Sequence, residues 1–129
     1  MSAIVFDSSV ILAAILGERG GDDVFDRLEE AMVSAVNVAE VYSYASINDF
    51  PTDAIDAFFA DTGIEIAPFS HQQAVVAGRF AAVTRKAGLS LGDRACLALA
   101  AGHGTEVLTA DHPWSAVAAD LDLKISFLR

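Results

Sequence analysis

A chain of 129 residues, 53% of them hydrophobic and 20% charged, has the length of one domain and the composition of an ordinary globular protein. That excludes a disordered chain, and a core of this size needs no disulfide or structural metal to fold. Eighteen acidic against 8 basic residues leave a formal net charge of −10, which excludes loose, non-specific binding to nucleic acid or to an anionic membrane, since both need a basic surface.

The amino terminus, MSAIVFDSSVILAAIL, carries Asp7 inside its apolar run, with no basic leader and no small-residue cleavage pattern, so neither a signal peptide nor a membrane span is expected. AIVF, residues 3–6, is a short uninterrupted apolar run of the kind found in strands buried on both faces. SSVILAAILGE follows as a helix capped by Ser8 or Ser9 and ended near Gly17. GGDDVFDRLEEA reads as a second helix with acids in its first turn, MVSA as a short strand, and NVAEVYSYASIND as a third helix that Pro51 stops. TDAIDAFFADTG is a fourth helix, IEIAPF at 64–69 a strand, and HQQAVVAGRFAAVTRKAG a long helix ended by Gly88. GDRACLALAAGHG is the next helix and EVLTAD a strand; a last helix near Pro113 to Ala119 precedes KISFL, the final strand. The order β-α-α-β-α-α-β-α-α-β-α-β offers no hairpin. It predicts right-handed crossovers and a three-layer α/β/α fold around a central parallel sheet, one domain over residues 1–129. The single cysteine, Cys96, sits in an apolar helical pattern as a small buried hydrophobe without a disulfide partner, which fits a reducing, cytoplasmic setting.

Ligands of open parallel sheets bind outside the carboxyl ends of the strands. Asp7 follows AIVF and Asp111 follows EVLTA, so both acids are expected at that edge; either alone reads equally as a cap or turn residue. Glu40 falls between Val36, Ser43, Tyr44 and Ile47 on a helical wheel, in the stripe expected to face the core, where a carboxylate must be paired, protonated or bound to a metal unless it reaches solvent past the tyrosine. Asp93 opens its helix and reads either as the N-cap or as a further ligand. Four carboxylates in one pocket repel by about 3 kcal/mol per pair at an effective dielectric near 20, so their convergence calls for cations. Oxygen ligands without cysteine or clustered histidine point to Mg²⁺ or Mn²⁺ rather than zinc. His71, His103 and His112 are scattered and read as surface or turn residues, and Phe58, Phe59, Tyr44 and Trp114 as core first and as a partner surface second.

FDSS at 6–9, NVAEV at 37–41, LGDRACLALA at 91–100 and LTAD at 108–111 resemble the four acidic motifs of the PIN-domain ribonucleases, and the chain over nearly its whole length resembles the VapC-type toxins of bacterial toxin-antitoxin pairs. The resemblance implies that Asp7, Glu40, Asp93 and Asp111 hold Mg²⁺, or Mn²⁺ in its place, and that Ser9, Asn37 and Thr109 support them. It also implies a metal-dependent endoribonuclease that cuts RNA, pairs with a small cognate antitoxin and forms a homodimer. Such an activity needs a local basic patch despite the net charge. Arg79, Arg85, Lys86 and Arg94, half of the basic residues, lie in the stretch leading into Asp93 and are the candidate RNA contacts, with a solvated helix face as the alternative. Two other functions fit a small acidic α/β chain. One is a non-catalytic interaction module of the same fold. The other is a receiver-type phosphoacceptor, although Asp7 is followed by Ser8 rather than by a second acid and Lys124 by Ile125 rather than by proline.

Overall fold

Among the described residues five short strands form a parallel sheet; the three central ones are apolar runs buried on both faces, while the two edge strands stay partly open to water. The computed structural model describes residues 4–129, so Ala3 of the expected first strand lies outside the described residues. The strands are β1 (Ile4–Phe6), β2 (Ala31–Ser34), β3 (Glu65–Ala67), β4 (Glu106–Thr109) and β5 (Ile125–Phe127). All four pairings are parallel, in the order β3-β2-β1-β4-β5. In the order of receiver-type domains β1 lies between β2 and β3. Here β1 lies between β2 and β4, and the receiver alternative falls.

Among the described residues seven α-helices cover the two faces: α1 (Ser8–Leu16), α2 (Gly21–Val24), α3 (Ala35–Asn48), α4 (Thr52–Thr62), α5 (His71–Thr84), α6 (Leu91–His103) and α7 (Ala118–Leu121). The expected second helix lasts one α-turn and tightens into a 3₁₀ segment over Phe25–Glu30. The helix expected near Pro113 divides likewise into a 3₁₀ turn, His112–Ala116, and α7. Alternation along the central strand sorts the core into two layers. Ile4 and Phe6 point to the side where Val10 and Ile11 of α1, Val41 and Ala45 of α3 and Ile55 of α4 pack, with Val33 and Leu108 from the flanking strands. Val5, Met32 and Val107 point to the other side, against Cys96, Leu97, Leu99 and Ala100 of α6, with Trp114. Ala95 through Ala100 are all buried, so α6 is a core helix with no wet face over those residues. Phe58 is core, as expected; Ile47 is almost wholly exposed. Among the described residues no helix is long and apolar enough to cross a membrane.

The sheet order puts the switch point, where successive strands stop adding on one side of β1 and begin on the other, between β1 and β4. Crevices for ligands open at that place, beyond the strand carboxyl ends. Asp7 follows β1 and Asp111 lies two residues beyond β4.

Candidate active site

Asp7 is the residue on which the site is built. Its backbone N–H continues the β1–β4 ladder to the carbonyl of Leu108 at 3.0 Å, and it stands as N-cap of α1 without its side chain capping anything. This corrects the expected cap at Ser8 or Ser9: both serines are already helical, and the carboxyl of Asp7 is turned inward instead. Two hydroxyls hold it there. Ser9 Oγ donates to Asp7 Oδ2 at 2.7 Å and Thr109 Oγ1 donates to the same oxygen at 3.0 Å. The same hydroxyls accept backbone N–H bonds from beyond β4, Ala110 onto Ser9 and Asp111 onto Thr109, each at 3.0 Å. Asp7 is 1% exposed and its other oxygen, Oδ1, is buried with no partner. Its carboxyl is raised from 3.8 to about 7, mainly by burial and in smaller part by the nearby charges of Asp93 and Asp111, against the lowering pull of the bonds from Ser9 and Thr109.

Glu40 arrives from α3, but not from the face the sequence suggested. The core stripe of α3 is Asn37, Val41 and Ala45, whereas Ser43 and Ile47 are exposed and Glu40 is half-buried beside the start of α6. The helical wheel is off because α3 packs against the sheet on one side and α6 on another, so a polar residue can lie at a helix-helix seam without facing the core. Asn37, fully buried, donates from Nδ2 to Glu40 Oε1 at 2.7 Å and to the carbonyl of Gly92 at 3.0 Å.

Asp93 is not the N-cap of its helix. Ser90 is: its hydroxyl accepts the Asp93 N–H at 3.2 Å, and Asp93 Oδ2 accepts the Ser90 N–H at 2.8 Å, a reciprocal capping box. The cap engages one oxygen of Asp93. Asp111 sits at the exposed rim, yet its carboxyl is held above the ordinary value, first by desolvation and then by the charge of Asp93, against the opposing pull of Arg129. Asp93 and Asp111 share a cleft of about 120 Å³ with Gly88, Leu89, Pro113 and the buried Trp114. The Cys96 thiol, wholly buried one turn further along α6, is pushed well above its usual value by burial and then by the charges of Asp7, Asp93 and Glu40, so three carboxylates from three separate elements bear on one point.

The sequence-predicted residues divide accordingly. Asp7, Glu40, Asp93 and Asp111 gather at the switch point with Ser9, Asn37 and Thr109 among them. Among the described residues, no group of three or more His, Cys, Asp or Glu side chains stands close enough together to hold a metal ion. The donor set does fit a hard divalent ion: carboxylate oxygens, one of them buried and unpartnered, and a lone thiol that stays protonated. Of the candidate RNA contacts, Arg85 and Lys86 are exposed on the turn that runs through Gly88 into the cleft wall. Arg79 lies back along α5 in a shallow groove with His71 and Val75, and Arg94 donates to the Ala77 carbonyl at 3.0 Å, tying α6 to α5. All three histidines are exposed.

Two residues escaped the sequence. Gly92 supplies the carbonyl that anchors Asn37. Arg129 reaches the rim because Thr109 pairs with Phe127, which sets Asp111 level with Arg129 two residues on; its guanidinium donates to the Arg19 carbonyl at 2.7 Å. Only the strand order could have revealed the second.

The chain belongs to the PIN-domain family, whose model it matches over residues 4–120. Solved structures similar to it include DNA-bound VapBC from Salmonella typhimurium, at 15% identity with 100% of both chains covered and a TM-score of 0.77. VapBC2 from Rickettsia felis, bound to a DNA fragment from its promoter, shares 14% identity over 96% of this chain and 97% of that one, with a TM-score of 0.76. VapBC-5 from Mycobacterium tuberculosis, a member of a toxin-antitoxin family, shares 21% over 98% of each chain, with a TM-score of 0.64. At these identities the likeness is one of fold. No match to a curated protein sequence was found.

The raised carboxyl of Asp7 sets a pH dependence for the metal-free protein. Between 3.8 and about 7 the native side chain keeps a proton that the unfolded chain has released, so this group's contribution to stability is full below the lower value and declines as pH rises through the upper one. The decline is at most on the order of 4 kcal/mol. Urea unfolding in EDTA should show Asp7→Asn more stable than the wild type near pH 8, with the advantage shrinking toward about pH 5. Parallel curves at both pH values would contradict the assignment.

Proposed function

We propose that this chain is a divalent-cation-dependent endoribonuclease and the toxin member of a toxin-antitoxin pair, acting in the cytoplasm. The observation that carries the reading is the buried, unpartnered Oδ1 of Asp7 at a sheet edge where Glu40, Asp93 and Asp111 also gather. A non-catalytic module of this fold would gain nothing from desolvating a carboxyl group and leaving half of it unpaired. Membership of the PIN-domain family supports a nuclease, and the toxin-antitoxin complexes among the similar structures support a small antitoxin as partner. The homodimer is carried over from the family resemblance.

In this reading Asp7, Glu40, Asp93 and Asp111 hold Mg²⁺, or Mn²⁺ in its place. When bound, the cation supplies activation of a water and stabilisation of the leaving oxygen of the phosphodiester. The protein's own residues supply position. Ser9 and Thr109 fix the Asp7 carboxyl, Asn37 fixes Glu40, and the capping box fixes Asp93, so three of the four residues that would hold the cation are oriented by the protein's own hydrogen bonds. Among the described residues no histidine lines the cleft. Arg85 and Lys86, exposed on the turn that leads into the cleft wall, would take flanking phosphates, while the acidic remainder of the surface disfavours indiscriminate binding.

Purified protein incubated with a panel of structured RNAs should cut internally in Mg²⁺ or Mn²⁺, and the cleavage should vanish in EDTA and in Asp7→Asn. Cleavage that persists in EDTA would remove the cation from the mechanism. Salt titration of RNA binding tests the rim: Arg85→Ala and Lys86→Ala should each flatten the dependence of log K on log salt by about one unit, and Arg79→Ala should leave it unchanged. Equal slopes for all four proteins would assign Arg85 and Lys86 to a solvated face.

A further inference from the structure

Gly92 is buried in the first turn of α6, two residues after the N-cap, and its backbone is not left-handed. Glycine in a helix is destabilising relative to alanine, so a position without a positive φ needs another reason to carry one. The reason is space. A Cβ built on Gly92 would fall upon the carboxylate of Glu40, overlapping its carbon and both of its oxygens. Gly21 also lacks room for a Cβ, but there the obstacle is the backbone of Ala13, a plain case of close helix packing. At Gly92 the obstacle is an ionisable head group that is held from a second side as well, since Asn37 Nδ2 spans Glu40 Oε1 and the Gly92 carbonyl.

We propose, building on the metal reading above, that Gly92 is a positioning residue: its bare α-carbon is the seat of the Glu40 carboxylate, and with Asn37 it holds that carboxylate beside Asp93, within reach of a shared cation. Glutamate is long and flexible, and α3 presents Glu40 half-exposed. Without the seat the side chain has solvent to turn to, which spares the fold and empties one corner of the site. Gly92 therefore acts on the metal through Glu40, and its effect should disappear when Glu40 has no carboxylate to seat.

A double-mutant cycle tests this with Gly92→Ala, Glu40→Ala and the combined variant, each read by calorimetric titration with Mn²⁺ and by melting temperature in EDTA. Gly92→Ala should fold and bind Mn²⁺ roughly tenfold more weakly or worse, the usual range for a lost supporting contact. In the Glu40→Ala background the same substitution should leave Mn²⁺ affinity unchanged and raise the melting temperature, because the seat is empty and alanine is the better helix former. Glu40→Asp, one methylene shorter, should restore part of the affinity lost by Gly92→Ala. An equal loss of Mn²⁺ affinity with and without the Glu40 side chain overturns the proposal. Should Gly92→Ala fail to fold, folding of the combined variant supports the seat and failure of both overturns it. A wild type that takes up no Mn²⁺ defeats the metal reading instead, and melting temperatures in EDTA still judge the contact: additive shifts there overturn it.

Discussion

A carboxyl group withdrawn from water at the end of the central strand is the constraint around which this molecule is arranged. Asp7 is 1% exposed, and both hydroxyls that reach it, from Ser9 and Thr109, donate to one oxygen and leave the other bare. An ionised carboxylate so placed is costly without a cation, and a protonated one is costly at neutral pH, so the group sits near its balance point at about 7. The two hydroxyls are shared. Each also accepts a backbone N–H from the segment after β4, so the path of the chain through Ala110 to Asp111 is fixed by the groups that orient Asp7. Strand pairing, the carboxyl clamp and the rim acid form one connected unit across the β1–β4 switch point.

Asp93 and Glu40 come to that unit from two helices and are settled by hydrogen bonds at the start of α6. Asp93 is rigid because it closes a capping box with Ser90, and that box pins the start of a helix whose next turns are buried throughout. Glu40 is rigid because Asn37 bridges it to the backbone of the same helix start. Asp93 closes the capping box from its third position while Ser90 is the cap, and the box orients one of its oxygens while its charge still acts on Asp7 and Asp111. Like charges held this way store repulsion that a divalent ion relieves, which links cation binding to the stability of the whole edge.

The element order was legible because it rests on local signals: apolar runs for buried parallel strands, and Gly17, Gly63, Gly88 and Gly104 at helix ends, all four left-handed as helix termination requires. Asp7 and Asp111 were legible at the sheet edge because each closely follows a strand, whereas Glu40 and Asp93, on helices, were grouped with them by the motif resemblance. What was hidden depends on partners far away in sequence. Arg129 beside Asp111 follows only from β5 pairing with β4. The burial of Asn37 rather than Glu40 follows from where α6 packs on α3, which no wheel of α3 alone contains. Ser8 and Ser9 looked like caps because serine usually is one; here Ser9 serves the carboxyl of Asp7, and a polar interior contact overrode the local preference. Gly92 carried no signal at all, since its reason is the side chain of a residue on another helix.

The central claim is that Asp7 keeps a proton until a cation takes its place, and proton release on metal binding measures this directly. Calorimetric titration of the wild type with Mg²⁺ in buffers of differing ionisation enthalpy gives the protons released per ion bound. The account predicts close to one proton near pH 6, about half near pH 7 and almost none near pH 9, a profile that Asp7→Asn should abolish. Mg²⁺ binding with no proton release at any of these pH values would show that Asp7 is already ionised in the metal-free protein, and would contradict the account.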